Sequence, residues 1–522
     1  MAMRRLDMSE VYAGAKFGAH TDGKYISRMA LDPRTPVIVG VGQHLQRVDD
    51  PLQALAPAPF IAEAIRIASR DAGLTSIPDV DSLRVVGFLS WRYRDPARFI
   101  ADELGISTRE TVITSMGGNS PQSLVNATAL EIQGGSFDLV VLCGGETSRT
   151  RKRARAAGID LPWPNVPDDV APTRVMGHEL VMNHEYEISR RIVAPIQVYP
   201  IFESAIRAHA GRSIPDHNRR LGELWSRFSS VAASNPYAWI RTAMTPEEII
   251  TPGPRNRMIG LPYTKVMNSN NEVDQSAAII MCSAARAESL GIPRDRWVFP
   301  ISGTDCHEHK YVSMRHTFHE TPAIRLGGRL ALELAETSID DIDIIDLYSC
   351  FPSAVQLGAE SLGLSLDRQL TRTGGLSFAG GPWNNYVMHA IATVVGELRE
   401  RPGEKGLIWA NGGYATKHSF GVYSTTPPAS GFRHANPQDG IDALPKRNVL
   451  DVGESKGPAT IEGYTVMHDR EGRPERAIAT VLDDSGNRAW GVSDDHDTMS
   501  AMCEGEWVGR RIRLDDEGTL IP

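Results

Sequence analysis

From Pro36 onward, short apolar runs ending in glycine alternate with stretches of helical spacing. Pro36 to Gln43 reads as a buried strand, Phe60 to Ala72 carries apolar residues at helical spacing, and Arg84 to Leu89 reads as a second strand. Ser120 to Ile132 predicts a helix and Asp138 to Gly145 a third strand. The alternation predicts an α/β fold, a sheet covered by helices. Residues 1–34 are polar and aperiodic and read as a tail.

One pattern occurs twice. Ser76-Ile77-Pro78-Asp79-Val80-Asp81 stands between a helix and a strand, and so does Ser338-Ile339-Asp340-Asp341-Ile342-Asp343. The repeat predicts two similar halves, 35–146 with 271–296 and 297–428. Between them, 147–270 is rich in Arg, His, Pro and Trp and predicts an inserted subdomain, because a structureless loop of that length does not suit a compact domain. Residues 429–451 read as a Pro/Gly/Asn-rich linker. After them Ala459 to His468, Arg476 to Leu482 and Asn487 to Val492 predict strands, with Asp483-Asp484-Ser485-Gly486 as a hairpin turn. The stretch 452–522 is thus expected to be a small β-barrel-like, OB-like domain.

The 522 residues hold 55 Lys+Arg against 64 Asp+Glu, a net charge of −9, which argues against a nucleic-acid or anionic-membrane partner. No apolar run approaches the ~18 residues of a membrane span. Five scattered cysteines give neither a disulfide framework nor a C-x-x-C spacing, so a reducing cytoplasm is the expected location. His307-Glu308-His309 with Cys306 does not share a face at ligand spacing, and no metal is expected.

Several segments resemble the thiolase superfamily. Ser115-Met116-Gly117-Gly118-Asn119-Ser120-Pro121 before a helix is similar to its nucleophile region, and Asp274-Gln275-Ser276-Ala277-Ala278 to its Asp-Gly-Ala-Ala stretch. Tyr348-Ser349-Cys350-Phe351 stands where sterol-carrier-protein thiolases carry His-Asp-Cys-Phe. Gly380-Gly381-Pro382 resembles Gly-His-Pro, and Asn411-Gly412-Gly413 the last glycine motif. The chain is identified as a thiolase-like protein of the acetyl-CoA acetyltransferase type, with an extra C-terminal domain. The resemblance implies a duplicated thiolase fold, two five-stranded sheets with helices between and outside, a homodimer, and acyl-CoA as substrate or ligand with no further cofactor.

The resemblance also implies what is missing. The nucleophilic cysteine falls on Gly118 (Gly117 if the loop shifts by one), the Gly-His-Pro histidine on Gly381, and the second cysteine on or near Ala410. Thiolysis through an acyl-enzyme is therefore expected to be absent. The glycine turns Gly118, Asn119, Gly381, Asn411 and Gly412 are expected to shape an oxyanion or substrate pocket. Tyr348 is the expected donor to an enolate, against a packing role; cysteine-free thiolase-like aldolases show a similar substitution. His418 is the second catalytic candidate, against a histidine capping a following helix. Cys350 reads as structural. Arg151 and Arg153, in the run Arg149, Arg151, Lys152, Arg153, Arg155, are expected to hold CoA phosphate, against a solvated basic face.

Three functions follow from these readings. One is an acyltransferase-family enzyme, transferring groups other than aminoacyl, that makes or breaks a C–C bond without a covalent intermediate. The alternatives are a non-catalytic CoA-ester binding protein and a subunit of a lipid-metabolism complex. In the first, 452–522 would wall the acyl end of the pocket and be removable at Asp451 with the core intact.

Overall fold

The computed structural model describes residues 31–164, 170–451 and 453–522. Residues 1–30 of the expected tail, 165–169 of the insertion and Val452 lie outside the described residues.

Two sheets share one strand plan. The first runs Pro36–Leu45, Asp274–Ser283, Leu139–Thr147, Val80–Val85, Thr108–Thr114 and Arg174–Met176. The second, read from its matching strand, runs Phe299–His307, Lys417–Ser424, Lys405–Gly412 and Ile344–Leu347. In both, the first two pairings are antiparallel and the third is parallel. The repeated hexapeptide sits at the same place in each plan, leading into Val80–Val85 and into Ile344–Leu347. The sheets differ at their edges. Arg174–Met176, from the insertion, makes the first sheet six-stranded, and Arg433–Ala435 pairs with Phe299–His307 as the fifth strand of the second.

Leu139–Thr147 and Asp274–Ser283 are buried at every position, as strands covered on both faces must be. Helices Ser120–Gln133 and Tyr386–Glu400 lie between the two sheets and contact both. Helix Pro57–Asp71 covers the outer face of the first sheet. Pro322–Leu334 and Pro352–Leu362 cover that of the second. The result is five layers, helix, sheet, helix, sheet, helix.

The C-terminal strands Gly457–His468, Pro474–Asp483, Arg488–Ser493, Arg511–Leu514 and Leu520–Ile521 form one antiparallel sheet. A bridge between Val492 and Thr519 brings its ends together, which closes a small barrel. Helix His496–Glu504 interrupts the strands and has no counterpart in the sequence reading. The barrel packs directly against the insertion. Met258–Gly260 of the insertion pairs with it at Met467, helix Pro195–His209 packs on it, and Tyr464 N–H donates to Ser204 Oγ at 2.8 Å. Arg207 meets Glu506 at 2.7 Å, and Arg488 reaches the carbonyls of Ser313 and Arg315. Apolar and charged contacts of this depth make it part of the same core. Among the described residues, no helix is long and apolar enough to cross a membrane.

Candidate functional site

The loop Ser115–Asn119 carries the chain from Thr108–Thr114 into the central helix Ser120–Gln133. Asn384, at the start of the other central helix, pins it: Gly117 N–H donates to Asn384 Oδ1 at 3.1 Å, and Asn384 Nδ2 donates to the Gly87 carbonyl at 2.7 Å. A β-carbon placed on Gly118 would meet the Tyr348 hydroxyl at 2.5 Å, its Cζ at 2.9 Å, and the Asn411 carbonyl. A β-carbon on Gly412 would stand 3.1 Å from the Gly118 nitrogen and 2.8 Å from Asn119 Oδ1. Gly118, Asn119, Tyr348, Gly412 and the Asn411 backbone thus converge, from loops of both halves. Glycine at 118 and 412 is what lets these backbones approach.

Tyr348 follows Ile344–Leu347, its N–H donating to the Trp409 carbonyl at 3.1 Å and its ring standing edge-on to Tyr386 at 5.6 Å. Burial, then Cys350 and Tyr386, push its hydroxyl well above the ordinary phenol range, so it is a neutral donor. On the side chain of Asn411 stands a further phenol that sequence reasoning missed, Tyr199. Asn411 Nδ2 donates to Tyr199 Oη at 2.9 Å, Ala415 N–H donates to the same oxygen at 2.9 Å, and Tyr199 O–H donates to the Gly413 carbonyl at 3.1 Å. Tyr199 stacks on Phe351 at 4.5 Å. Nothing around Tyr199 in the sequence marks it, because its partner is Asn411, in the other half. Burial raises the Cys350 thiol to about 12, which keeps it protonated and unreactive.

His418 does not join this cluster. Lys417–Ser424 is a strand, not a turn into a helix, so successive side chains take opposite faces. His418 lies on the face of Trp409, whose Nε1–H donates to His418 Nδ1 at 3.3 Å. Burial holds the imidazole neutral, well below its usual range, with Arg315 acting in the same direction. Its neighbour Lys417 takes the face of the central helix and donates to the Met116 carbonyl. Strand alternation applied to Lys417-His418-Ser419 would have found it.

Gly381 stands apart, against the turn before Asp274–Ser283: its N–H donates to the Asn270 carbonyl at 2.9 Å, and a β-carbon there would meet Asn271 Oδ1 at 2.9 Å. This turn borders a groove of about 500 Å³ that Lys152, Lys265, Arg257 and Trp383 also line. Ile240 joins it to a second groove, of about 460 Å³, where the Arg47 guanidinium lies 4.3 Å over Trp239 and Arg241 adds a second cation. Burial, then the like charges of Arg149 and Arg241, lower the Arg47 pKa. Of the basic run, on helix Ser148–Ala157, Lys152 faces the groove, where it pairs with Glu272 at 2.6 Å. Arg151 donates to the Leu89 carbonyl at 2.9 Å, Arg153 pairs with Asp49 at 3.2 Å, and neither lines these two grooves. Among the described residues, none after 451 lines either groove.

Comparisons with known proteins place these features in a family. Residues 437–519 match the model of the thiolase-like protein type 1 additional C-terminal domain. A monomeric SCP2-thiolase like protein type 1 from Mycobacterium smegmatis is 31% identical, with 94% of this chain and all of that chain covered, at a TM-score of 0.79. The Ltp2-ChsH2(DUF35) aldolase is 19% identical over 75% of this chain and 98% of that one, at a TM-score of 0.57, a likeness of fold. Benzoylsuccinyl-CoA thiolase subunit BbsB of Thauera aromatica is 26% identical over 140 residues, 26% of this chain and 32% of that protein. The chain therefore spans about a third of that relative's length.

Proposed function

The chain belongs to the SCP2-thiolase-like proteins of type 1, and from that premise we propose that it binds acyl-CoA thioesters in lipid metabolism and acts on them without an acyl-enzyme. The observation that carries this reading is the Tyr348 hydroxyl, 2.5 Å from where a β-carbon at residue 118 would stand. In the thiolase resemblance that is the nucleophile's place, so a neutral donor replaces an attacking thiolate. When a C–C bond beside a thioester breaks, its electron pair moves onto the carbonyl oxygen as an enolate. A donor already aimed there, in a site shut from water, stabilises that oxygen more than the neutral carbonyl. The reaction is thus of the aldol or Claisen type, and CoA enters along the two grooves. Lys152 and Lys265 meet its phosphates, and Trp239 with Arg47 and Arg241 its nucleotide.

A specific feature favours a second reading, a CoA-ester binding protein without turnover. Tyr348 and Cys350 are both held protonated and His418 faces away, so none of these supplies a base near neutral pH. Calorimetry with a panel of acyl-CoA esters, followed by mass spectrometry of the products, tests both. Micromolar binding with C–C products supports the enzyme, binding alone the second reading, and no binding overturns both. Tyr348→Phe should spare binding and abolish turnover. Four free, buried cysteines suit a reducing cytoplasm. A homodimer remains our proposal, and light scattering at the single-chain mass of 57.1 kDa would overturn it.

A further inference from the structure

We propose that a second cavity, on the Lys417 side of the central helix, binds a small aliphatic carboxylic acid whose carboxylate pairs with Lys417. The cavity holds about 330 Å³ and lies between helix Ser120–Gln133, the strands Phe299–His307 and Lys417–Ser424, and the segment 176–180. That is the small end of the ligand-pocket range of roughly 300–1,000 Å³. Leu124, Ala127, Met176 and Leu180 give it apolar walls, and Lys417 stands where Asn119 and Ser120 open the helix. Asn119 borders both this cavity and the cluster at Gly118, but Tyr348 does not line it, so the two adjoin across the loop without sharing the phenol.

Lys417 is 6% exposed, and its ammonium donates to the Met116 carbonyl. Among the described residues no carboxylate lies within ion-pair distance of it. Elsewhere the chain pairs its buried cations: Arg84 with Glu131 at 2.5 Å, Arg207 with Glu506 at 2.7 Å, Arg488 with Glu462 at 2.8 Å. Arg315, the comparable exception, donates to two carbonyls, those of Tyr414 and Ala415. A buried charge without a counter-charge is costly, and a carboxylate entering the cavity would remove that cost.

The carboxylates near the cavity are already engaged. Asp305 accepts from Ser123 Oγ at 2.5 Å and Asn126 Nδ2 at 2.9 Å and pairs with His434 at 2.8 Å. Glu179, the acid whose field reaches Lys417, is exposed and accepts from the Met116 N–H at 3.2 Å. Burial lowers the Lys417 pKa in spite of Glu179, as expected of an ammonium still short of a partner. The start of a 14-residue helix adds positive potential at the same end of the cavity. An acid with an apolar tail satisfies both ends at once; a doubly charged phosphate would leave the apolar walls unfilled.

Octanoate and octanol, titrated into the full chain by calorimetry with thermal unfolding alongside, test the proposal. Octanoate should bind at least about tenfold more tightly than octanol and raise the melting temperature. Lys417→Met should abolish the preference for the acid. Ala127→Trp, which fills the cavity and keeps the ammonium, should abolish binding of octanoate. Coenzyme A, titrated into Ala127→Trp, should bind as in the parent, which separates this site from the acyl-CoA reading. Equal binding of acid and alcohol, no binding of octanoate, or octanoate binding that survives Ala127→Trp would overturn the proposal. Should Lys417→Met fail to fold, the acid-alcohol comparison and Ala127→Trp still decide.

Discussion

Helices Ser120–Gln133 and Tyr386–Glu400 occupy matching places between the two sheets, yet their entrances differ. The first opens under Tyr348, with Lys417 and a cavity on its other side. The second opens from the turn Trp383–Asn385, whose Asn384 is committed to Gly117 and Gly87, while Gly381 is closed by Asn270 and Asn271. Duplication keeps the backbone plan because strand order and burial require it. Side chains at the helix entrances are under no such requirement, so one entrance can hold donors toward a ligand while the other braces it.

The largest test of that difference is steric. Gly118→Ala sets a methyl against a backbone carbonyl and a buried phenol, neither free to move, whereas the nearest atom at Gly381 belongs to the Asn271 side chain. Denaturant unfolding should show a loss of about 3 kcal/mol or more for Gly118→Ala and about 1 kcal/mol for Gly381→Ala. Equal losses would mean that the two entrances are equally tight.

Next in size is a pH effect with one group in each half. Burial raises Glu146 to about 7 and Asp346 to about 6. The folded state therefore keeps protons that the unfolded chain has released, so stability is full below about pH 4 and falls as pH rises through these values. A tenfold difference in proton affinity between the folded and unfolded states corresponds to about 1.4 kcal/mol. Melting curves should show Glu146→Gln flattening the decline up to about pH 7 and Asp346→Asn the part below about pH 6. A Glu146→Gln curve parallel to the parent's would place the Glu146 carboxylate in an ordinary environment.

The smallest effect concerns the groove beside the second entrance. Lys152→Ala should weaken coenzyme A about tenfold, the loss of one charge-assisted contact. Arg151→Ala and Arg153→Ala should each change it by about twofold, since neither guanidinium lines the groove. The reverse order would return the phosphate role to Arg151 and Arg153.

Much of the fold could be read in advance. The strands Pro36–Leu45, Val80–Val85 and Leu139–Thr147 and the hexapeptide repeat are legible because burial on two faces demands continuous apolar runs and tight glycine turns. The meeting of Gly118 with Tyr348 was legible through the motif order alone, since no spacing in one chain reveals a contact across two halves. Tyr199 was invisible for the same reason. The place of His418 five residues after the Asn411-Gly412-Gly413 motif says nothing of which face of the strand its side chain takes, and that face is what the structure adds. The three-residue strand Met258–Gly260 is too short to show any period.

That short strand and the helix Pro195–His209 before it also set a timetable. Both sit near the middle of the chain, yet the part of their cover that the barrel supplies arises only from residue 457 onward, and the pairing of Tyr464 with Ser204 spans 260 positions. On the ribosome, Ile201, which packs on Gly463, must wait for that cover while the whole second half is made. Closure across such a distance is slow, and an apolar face left open in the meantime is a place for chains to stick to one another. For the nascent protein, the barrel is the lid on its own middle, and a ribosome that stalls before it leaves a client for chaperones rather than a smaller working protein.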